Sequence, residues 1–513
     1  MKKGVLRTAL RSGTVVPLCL GAARLLVHLA VGGRYGFFRD ELYFIVCGGR
    51  LDFGYVDQPP LTPLVARLAR LLFGDSLPGL RLLPALAGAA TIVLAGLIAR
   101  RLGGGRGAQA LAAVSVFFAP VLLGFGGMLT PNAFDVLFWT LAAYLLVLIL
   151  KDGRRKLWPV FGLVVGLALQ NKYSIAFFVA ALGLGFLLSS ARSELLRGRF
   201  WAGVAVALAV FLPNLLWQVR HGLPFIELNR NAVAHKNAVL SPLQFLAGQT
   251  MEALPLTMIV ILIGIGYFWF GRDARPVRTF AWAYVALFAF FVFSGGKAYY
   301  MAPVYPVMLA GGAVALERFA SRPKRRWVVP AGLVLAAAFG TAAAPMAVPV
   351  LSPGGLVSYM RGLGIAPQAG ERQELGLLPQ HFADQFGWEG LAEDVARVYR
   401  GLDESDKAVC GIFAQNYGEA SAVNVLGRRF GLPFAASGHN NYWLWGPPPG
   451  RGEVMIVIGG NAEDHLRTYV QVVEAARHSD ALAMPYESGL PIYLCRGLKV
   501  PLTDVWPRVK LYI

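Results

Sequence analysis

The sequence predicts a mainly α-helical, polytopic membrane protein with about 11 transmembrane helices and an exported C-terminal α/β domain. Hydrophobic residues make up 56% of the 513 residues. Apolar runs of about 20 residues, the length that crosses a bilayer, recur up to residue 349, and strand–helix alternation follows them. We place the apolar segments at about 12–31, 80–99, 108–127, 132–150, 157–170, 173–190, 200–219, 250–270, 278–295, 299–317 and 327–349.

Charge is distributed unevenly along the chain, which has a net charge of +19. Residues 1–349 carry 34 basic and 12 acidic side chains, whereas residues 350–513 carry 14 and 17. The basic excess lies mostly in every second connection, which is the positive-inside pattern of cytoplasmic loops. This distribution excludes a nucleic-acid partner. The basic connections begin with the N-terminal Lys2, Lys3, Arg7 and Arg11 and continue at 100–106, 151–156, 192–199, 272–278 and 318–326.

The alternation of charge predicts a topology. The N-terminus is cytoplasmic and the first apolar segment is an uncleaved anchor. The loop 32–79, the loop 220–249 and the whole C-terminal region then lie on the opposite side of the membrane. Residues 1–349 form the predicted membrane domain, and residues 350–513 form the predicted exported domain.

Within the exported domain, short apolar runs alternate with amphipathic segments. We expect strands at 409–414, 433–436, 454–459 and 491–495 and helices at 417–428 and 464–478. Cys410 and Cys495 both lie on the exported side, where a disulfide can persist, and their pairing stays open.

The strongest functional signal is an acidic cluster in the loop 32–79. Asp40 and Glu41 follow the first apolar segment, and Asp57 precedes the Pro-rich stretch 58–63. A carboxylate at a membrane boundary can accept a proton from a nucleophile, and two carboxylates can share a divalent ion. The alternative is that these acids balance the arginines of a solvated loop. The helical spacing of 64–73 predicts a helix that lies flat on the membrane surface.

Cations on the exported side are not needed to orient the protein in the membrane. Lys172, Arg220 and Lys297, the last followed by Tyr299 and Tyr300, are suited to bind a lipid-linked phosphate. The alternative for each is a side chain that anchors a helix end. Near the same surface, Asn132 is expected to cap a helix whose first turn contains Asp135, and this placement explains Asp135 without a chemical role.

In the exported domain, polar and aromatic residues suited to a carbohydrate occur together at His439, Asn440, Tyr442 and Trp443. Aromatic faces stack on sugar rings while amides bind hydroxyl groups. A structural turn is an equal alternative for this segment.

The motifs around these residues resemble bacterial members of glycosyltransferase family 39, which contains protein O-mannosyltransferases and lipid A aminoarabinose transferases of the GT-C architecture. The resemblance covers most of the chain. Where the aminoarabinose transferases have Glu followed by Lys, this chain has Asp57 followed by Gln58. The segments that carry the resemblance are 39–43, 55–61, 132–139, 171–174, 213–218 and 297–306.

The resemblance implies transfer of a sugar from a polyprenyl phosphate to an envelope acceptor (lipid, glycan or protein) at the outer face of the bacterial cytoplasmic membrane. Asp40 matches the proposed base, Glu41 is its neighbour, and Asp57 matches the second acid, which in some relatives helps to hold a metal ion. A divalent ion at Asp57 and Asp40 stays open, and inversion at the anomeric carbon is the simplest stereochemistry. The alternatives are a transporter or flippase of lipid-linked sugars and a non-enzymatic envelope assembly factor.

Overall fold

The computed structural model describes residues 13–236, 240–367, 373–448 and 452–513. The basic N-terminal residues Lys2, Lys3, Arg7 and Arg11 lie outside the described residues. The helices up to residue 343 are α1 Val15–Val31, α2 Arg39–Gly49, α3 Leu61–Phe73, α4 Leu77–Arg101, α5 Arg106–Phe118, α6 Pro120–Phe125, α7 Pro131–Leu150, α8 Trp158–Leu169, α9 Ile175–Leu187, α10 Gly198–Arg220, α11 Pro224–Asn231, α12 Pro242–Ala253, α13 Pro255–Phe270, α14 Thr279–Phe293, α15 Tyr305–Phe319 and α16 Val328–Ala343. They are followed by α17 Pro353–Gly362, α18 Gln380–Ala383, α19 Trp388–Arg400, α20 Glu404–Val409, β1 Cys410–Ala414, α21 Tyr417–Leu426, β2 Ala435–Ser437, α22 Asn441–Trp445, β3 Val454–Ile458, α23 Ala462–Leu466, β4 Tyr469–His478, β5 Leu490–Leu498 and α24 Leu502–Val505.

The chain forms two compact units that do not coincide with a simple division at residue 350. The first unit contains the described parts of Met1–Gly33, Pro78–Leu215 and Ala238–Val350. The second contains the described parts of Arg34–Leu77, Leu216–Asn237 and Leu351–Ile513. The acidic loop therefore groups with the C-terminal region, while the assignment of either unit to one side of the membrane stays a prediction.

The first unit is an assembly of apolar helices. In the described part of the chain, five helices are long and apolar enough to cross a membrane, or up to seven if each of two sharply bent pairs is one span. The prediction of eleven spans is not confirmed at that number. Three more apolar helices, α1, α5 and α14, are shorter than a full span, because breaks in the chain divide several of the predicted segments.

The break between α5 and α6 shows how one predicted segment is divided. Pro120 has no amide hydrogen, so the helical hydrogen bonds of the segment 108–127 stop before it. Arg24 of α1 is buried there and donates to the carbonyl oxygens of Val116 at 3.4 Å, Phe117 at 3.1 Å and Leu122. This arginine therefore satisfies carbonyl groups that the interrupted helix leaves without amide partners.

The second unit is built on a five-stranded mixed sheet with the strand order β2-β1-β3-β5-β4. β1 is parallel to both β2 and β3, whereas β5 is antiparallel to β3 and β4. All five residues of β3 are buried, as expected for an apolar run covered on both faces. The α/β prediction for this part of the chain agrees with the sheet, with one exception.

The prediction of a helix at 464–478 is wrong. Only the short α23 forms at its start, and Tyr469–His478 is the edge strand β4, paired with β5 from Tyr469↔Leu498 to His478↔Leu490. The β-branched residues Val470, Val472 and Val473 favour an extended strand that can pair with β5. The tertiary pairing therefore outweighs the helix-favouring residues later in the segment.

Cys410 and Cys495 are free thiols. Cys410 lies on β1 and Cys495 on β5, and β3 runs between these two strands. Two strand spacings of about 4.8 Å separate such positions by about 10 Å, beyond the roughly 7 Å that a disulfide spans between Cα atoms. The disulfide left open by the sequence therefore does not form in this fold.

Candidate active site

Asp40 is positioned at the start of α2, within the second unit. The Tyr417 hydroxyl donates to Asp40 Oδ1 at 2.7 Å, and Arg39 Nε lies 3.5 Å from the same oxygen. The Asp40 side chain is nevertheless 31% exposed. An acid that is held in place and still reachable can accept a proton from a bound nucleophile.

Arg39 is fixed from the C-terminal region. Its backbone amide donates to the Asp384 carbonyl at 2.9 Å, and its guanidinium donates to the Tyr486 hydroxyl at 2.6 Å and lies 3.8 Å from Asp384 Oδ1. The guanidinium also lies over the Tyr417 ring, 5.4 Å from its centroid. These contacts fix the residue immediately before Asp40.

Asp57 is the second acid of this site and is half-buried. The Tyr43 hydroxyl donates to Asp57 Oδ1 at 2.9 Å. Burial raises the pKa of Asp57 to about 7, the bond from Tyr43 opposes this shift, and the charge of Asp40 adds to it. The carboxyl therefore titrates near neutral pH, where a general base is most effective.

Two tyrosines link the acids. The rings of Tyr43 and Tyr417 lie 4.9 Å apart between centroids, and each hydroxyl donates to one carboxylate. The two acidic motifs are therefore connected through a pair of packed tyrosines. Neither tyrosine was among the predicted site residues.

Hydrogen bonds to several other segments fix the turn that contains Asp57. Tyr55 donates through its hydroxyl to the Cys47 carbonyl at 3.0 Å, and its own carbonyl accepts from Gln218 Nε2 at 3.0 Å. The Val56 amide donates to Asn441 Oδ1 at 3.1 Å. These bonds therefore hold Asp57 in an ordered turn.

Glu41 has a structural role that the sequence analysis did not foresee. It is fully buried, and its Oε2 accepts the backbone amide of Phe38 at 2.9 Å at the N-terminus of α2. A carboxylate used in this way supplies one half of a capping box, because Phe38 has no side-chain oxygen for the reciprocal bond. This contact gives Glu41 a structural role at the start of α2, and its catalytic role stays a prediction.

A buried pair of acids supports Tyr417. Asn416 donates through Nδ2 to Glu419 Oε1 at 2.7 Å and to Glu487 Oε1 at 3.0 Å. Burial raises the pKa of both carboxyls, that of Glu487 to about 8, and the charge of Glu487 raises the pKa of Glu419 further. Asn416 Oδ1 also accepts the amides of Gly418 and Glu419 and so caps the helix that begins at Tyr417.

The residues at this site do not by themselves fit a metal ion. In the described residues, no group of three or more His, Cys, Asp or Glu side chains could hold one. Asp40 is already paired with Arg39 and Tyr417, and Asp57 accepts from Tyr43. We therefore assign no chemical step to a metal ion at Asp40 and Asp57.

Most of the predicted phosphate ligands come together within the first unit. Lys172 Nζ lies 5.8 and 5.6 Å from the ring centroids of Tyr299 and Tyr300, and Lys297 is close enough for its charge to act on Lys172. Arg220, by contrast, is the exposed last residue of α10 and belongs to the second unit.

Asn132 and Asp135 hold Lys172. Lys172 Nζ donates to Asn132 Oδ1 at 2.7 Å and lies 3.9 Å from Asp135 Oδ2, which also accepts from Ser174 Oγ at 2.7 Å. Asn132 does not cap α7 as predicted, because Thr130 is the N-cap residue. Buried Asp135 therefore orients a cation, a function that its helical position alone does not indicate.

The predicted carbohydrate residues are mostly buried and bonded within the domain. His439 Nε2 lies 3.0 Å from the Ile513 carbonyl oxygen, and the Asn440 amide donates to the Leu511 carbonyl at 2.9 Å. The fully buried Tyr442 hydroxyl bonds to Ser421 and Asn424, and half-buried Trp443 donates to the Trp506 carbonyl. These contacts fit the structural turn left open by the sequence, and a sugar-binding role for the four residues stays a prediction.

Comparisons with known proteins agree with the motifs. Residues 57–217 match the model of the family described as dolichyl-phosphate-mannose-protein mannosyltransferase. The lipid A galacturonosyltransferase RgtD of Rhizobium johnstonii is 29% identical over 262 residues, which are 48% of this chain and 52% of that protein. The chain thus spans about half the length of the curated relatives it matches.

Solved structures extend the likeness to nearly the whole chain. ArnT from Cupriavidus metallidurans, bound to undecaprenyl phosphate, superposes with a TM-score of 0.64 at 16% identity, covering 93% of this chain and 97% of ArnT. The arabinofuranosyltransferase AftD from Mycobacteria gives 0.52 at 14% identity, covering 94% of this chain and 40% of AftD. The chain therefore shares the fold of ArnT, in agreement with the resemblance stated from the motifs.

Proposed function

We propose that the protein transfers a sugar from a polyprenyl phosphate to an envelope acceptor (lipid, glycan or protein) at the outer face of the bacterial cytoplasmic membrane. The observation that carries this proposal is the pair Asp40 and Asp57, each bonded to one of two packed tyrosines. The match to a mannosyltransferase family and the fold shared with ArnT support it.

In the proposed reaction, the acceptor nucleophile attacks the anomeric carbon while its proton passes to a carboxylate of the pair. The bond between the anomeric carbon and the phosphate oxygen breaks, and the polyprenyl phosphate leaves as an anion. An anionic leaving group needs no strong general acid, and a single displacement inverts the anomeric carbon. Asp40 accepts the proton or orients the acceptor, and Asp57 supplies a carboxyl that titrates near pH 7.

We assign the lipid phosphate to the first unit. Lys172 and Lys297 supply positive charge, and Tyr299 and Tyr300 supply hydroxyl groups and ring faces around Lys172. Ammonium groups suit a phosphate as point charges. Asn132 and Asp135 keep the Lys172 ammonium oriented.

The test is turnover by the purified full-length protein in lipid nanodiscs with a panel of labelled undecaprenyl-phosphate sugars. Sugar transfer or release is expected with at least one donor. Asp40→Asn and Asp57→Asn should each lower turnover about 10²- to 10⁴-fold, the range of general acid–base catalysis. Asp75→Asn is the matched control, because Asp75 lies in the same loop but is 74% exposed and paired with Arg70. Undiminished turnover in the Asp40→Asn, Asp57→Asn double variant would contradict the assignment.

A further inference from the structure

The C-terminal sheet places two side chains against the two acidic motifs. In parallel strands the carboxyl ends lie at one edge, and ligands of α/β folds bind at that edge. β1 ends at Ala414 and leads to Tyr417, whereas its parallel neighbour β2 ends at Ser437 and leads to Asn441. In this protein the edge therefore faces a segment of its own chain, the loop that carries the two acids.

The contacts at this edge are specific to the acidic motifs. Tyr417 donates to Asp40 at 2.7 Å. Asn441 accepts the amide of Val56, the residue before Asp57, at 3.1 Å, and the backbone amide of Asn441 lies 3.3 Å from the Tyr43 hydroxyl. Both acids are thus held from the C-terminal region.

The backbone next to Asn441 is strained in a way that maintains this contact. Asn440 has a φ of 49° and a ψ of −130°, a combination outside the left-handed helical region that asparagine tolerates. Its amide and side chain bond to Leu511 and Ile513, so the C-terminal residues hold the unfavourable conformation in place. Strain that the surroundings maintain is common at functional sites.

We propose that the C-terminal α/β region completes the catalytic centre, with Tyr417 positioning Asp40 and Asn441 positioning the turn of Asp57. This inference rests on the proposed transferase function and deepens it. Tyr417 and Asn441 are positioning residues, because they act through the two acids. The C-terminal region is then part of the active site itself, and it does more than cover the site or bind the acceptor.

The test compares full-length Tyr417→Phe and Asn441→Ala with Tyr35→Phe. Tyr35 is a matched control, because it is buried in the same unit and its hydroxyl bonds to the Leu351 carbonyl and not to an acid. We expect kcat to fall about tenfold or more in the first two variants, since each loses a bond that orients the acids. The donor KM and the melting temperature should match those of Tyr35→Phe.

Hydrogen exchange supplies a readout that does not depend on turnover. Asn441→Ala should accelerate exchange of the Val56 amide about tenfold, and Tyr35→Phe should not. Normal kcat in Tyr417→Phe and Asn441→Ala, or unchanged Val56 exchange in Asn441→Ala, would overturn the inference. Wild-type protein that turns over no donor would instead contradict the proposed function, and the exchange measurement would still decide whether the loop is held in this way.

Discussion

At the scale of single residues, the environment of Asp57 leads to a pH dependence. Burial raises its pKa to about 7, and the hydrogen bond from Tyr43 lowers it from a still higher value. The proposed pair acts with Asp57 deprotonated, so kcat/KM should rise as pH increases through about 7 and then reach a plateau.

Tyr43→Phe tests the cause of that dependence. Loss of the hydroxyl removes a bond to the charged form of Asp57, so the midpoint of the kcat/KM profile should move upward by about one pH unit. Steady-state kinetics between pH 5 and about 9 measure this shift, and Tyr35→Phe should leave the midpoint in place. A wild-type midpoint near about 4, the value of an ordinary carboxyl, would be inconsistent with this role of Asp57.

Glu41 and Asp40 are adjacent in sequence but should respond differently to substitution. Because Glu41 Oε2 accepts the Phe38 amide, an amide oxygen can replace it, and Glu41→Gln should retain turnover within about threefold. Glu41→Ala leaves that amide unpaired and should destabilise the protein by about 1 kcal/mol, seen as a lower melting temperature. A loss of turnover in Glu41→Gln as large as that in Asp40→Asn would instead support a catalytic role for Glu41.

The candidate acids and cations are detectable in the sequence, but the residues that hold them are not. Asp40 and Asp57 are detectable because acids are scarce in the apolar part of the chain. Tyr417 is separated from Asp40 by 377 positions, and Asn441 from Val56 by 385. At such separations, no local pattern in the sequence shows that these two residues contact the acidic motifs.

At the scale of secondary-structure elements, prediction was accurate where periodicity and burial agree. The strands β1, β3 and β5 were predicted because buried apolar runs have few alternatives. β4 was missed because an edge strand has one exposed face and depends on its pairing with β5. The predicted number of spans is not confirmed, because hydropathy does not register breaks such as the one at Pro120.

Helix α3 leads to a prediction about the membrane surface. Its buried face is made of small residues such as Ala66 and Ala69, while Leu68, Leu71 and Leu72 are exposed at 45, 68 and 68%. An exposed leucine face on a helix of a membrane protein is expected to lie at the lipid interface. A nitroxide at Leu71→Cys should therefore collide with oxygen more than with a water-soluble nickel reagent in nanodiscs, and one at Asp75→Cys should show the reverse. Equal accessibility at both positions would contradict an interfacial α3.

At the scale of the whole molecule, the sequence alone does not indicate which distant segments pack together. Hydropathy divides the chain near residue 350, yet the loop from Arg34 to Leu77 packs with the C-terminal region. Polar and aromatic contacts account for this grouping, among them the bonds of Arg39 to Asp384 and Tyr486. Such contacts have no hydrophobic period, so a division based on hydropathy separates residues that fold together.

The charge distribution leads to the last prediction, the orientation of the protein. Basic connections retain their segments in the cytoplasm, so the connection containing Arg154 should be cytoplasmic and the nearly neutral C-terminal region exported. Asp403 and Arg154 are both exposed, so cysteines at these two positions form a matched pair. Cys19, the exposed native thiol, is first replaced by Ser. A membrane-impermeant maleimide should label Asp403→Cys in spheroplasts and Arg154→Cys only after the inner membrane is permeabilised. The reverse pattern would place Asp40 and Asp57, which pack with the C-terminal region, on the cytoplasmic side, and would exclude transfer at the outer face.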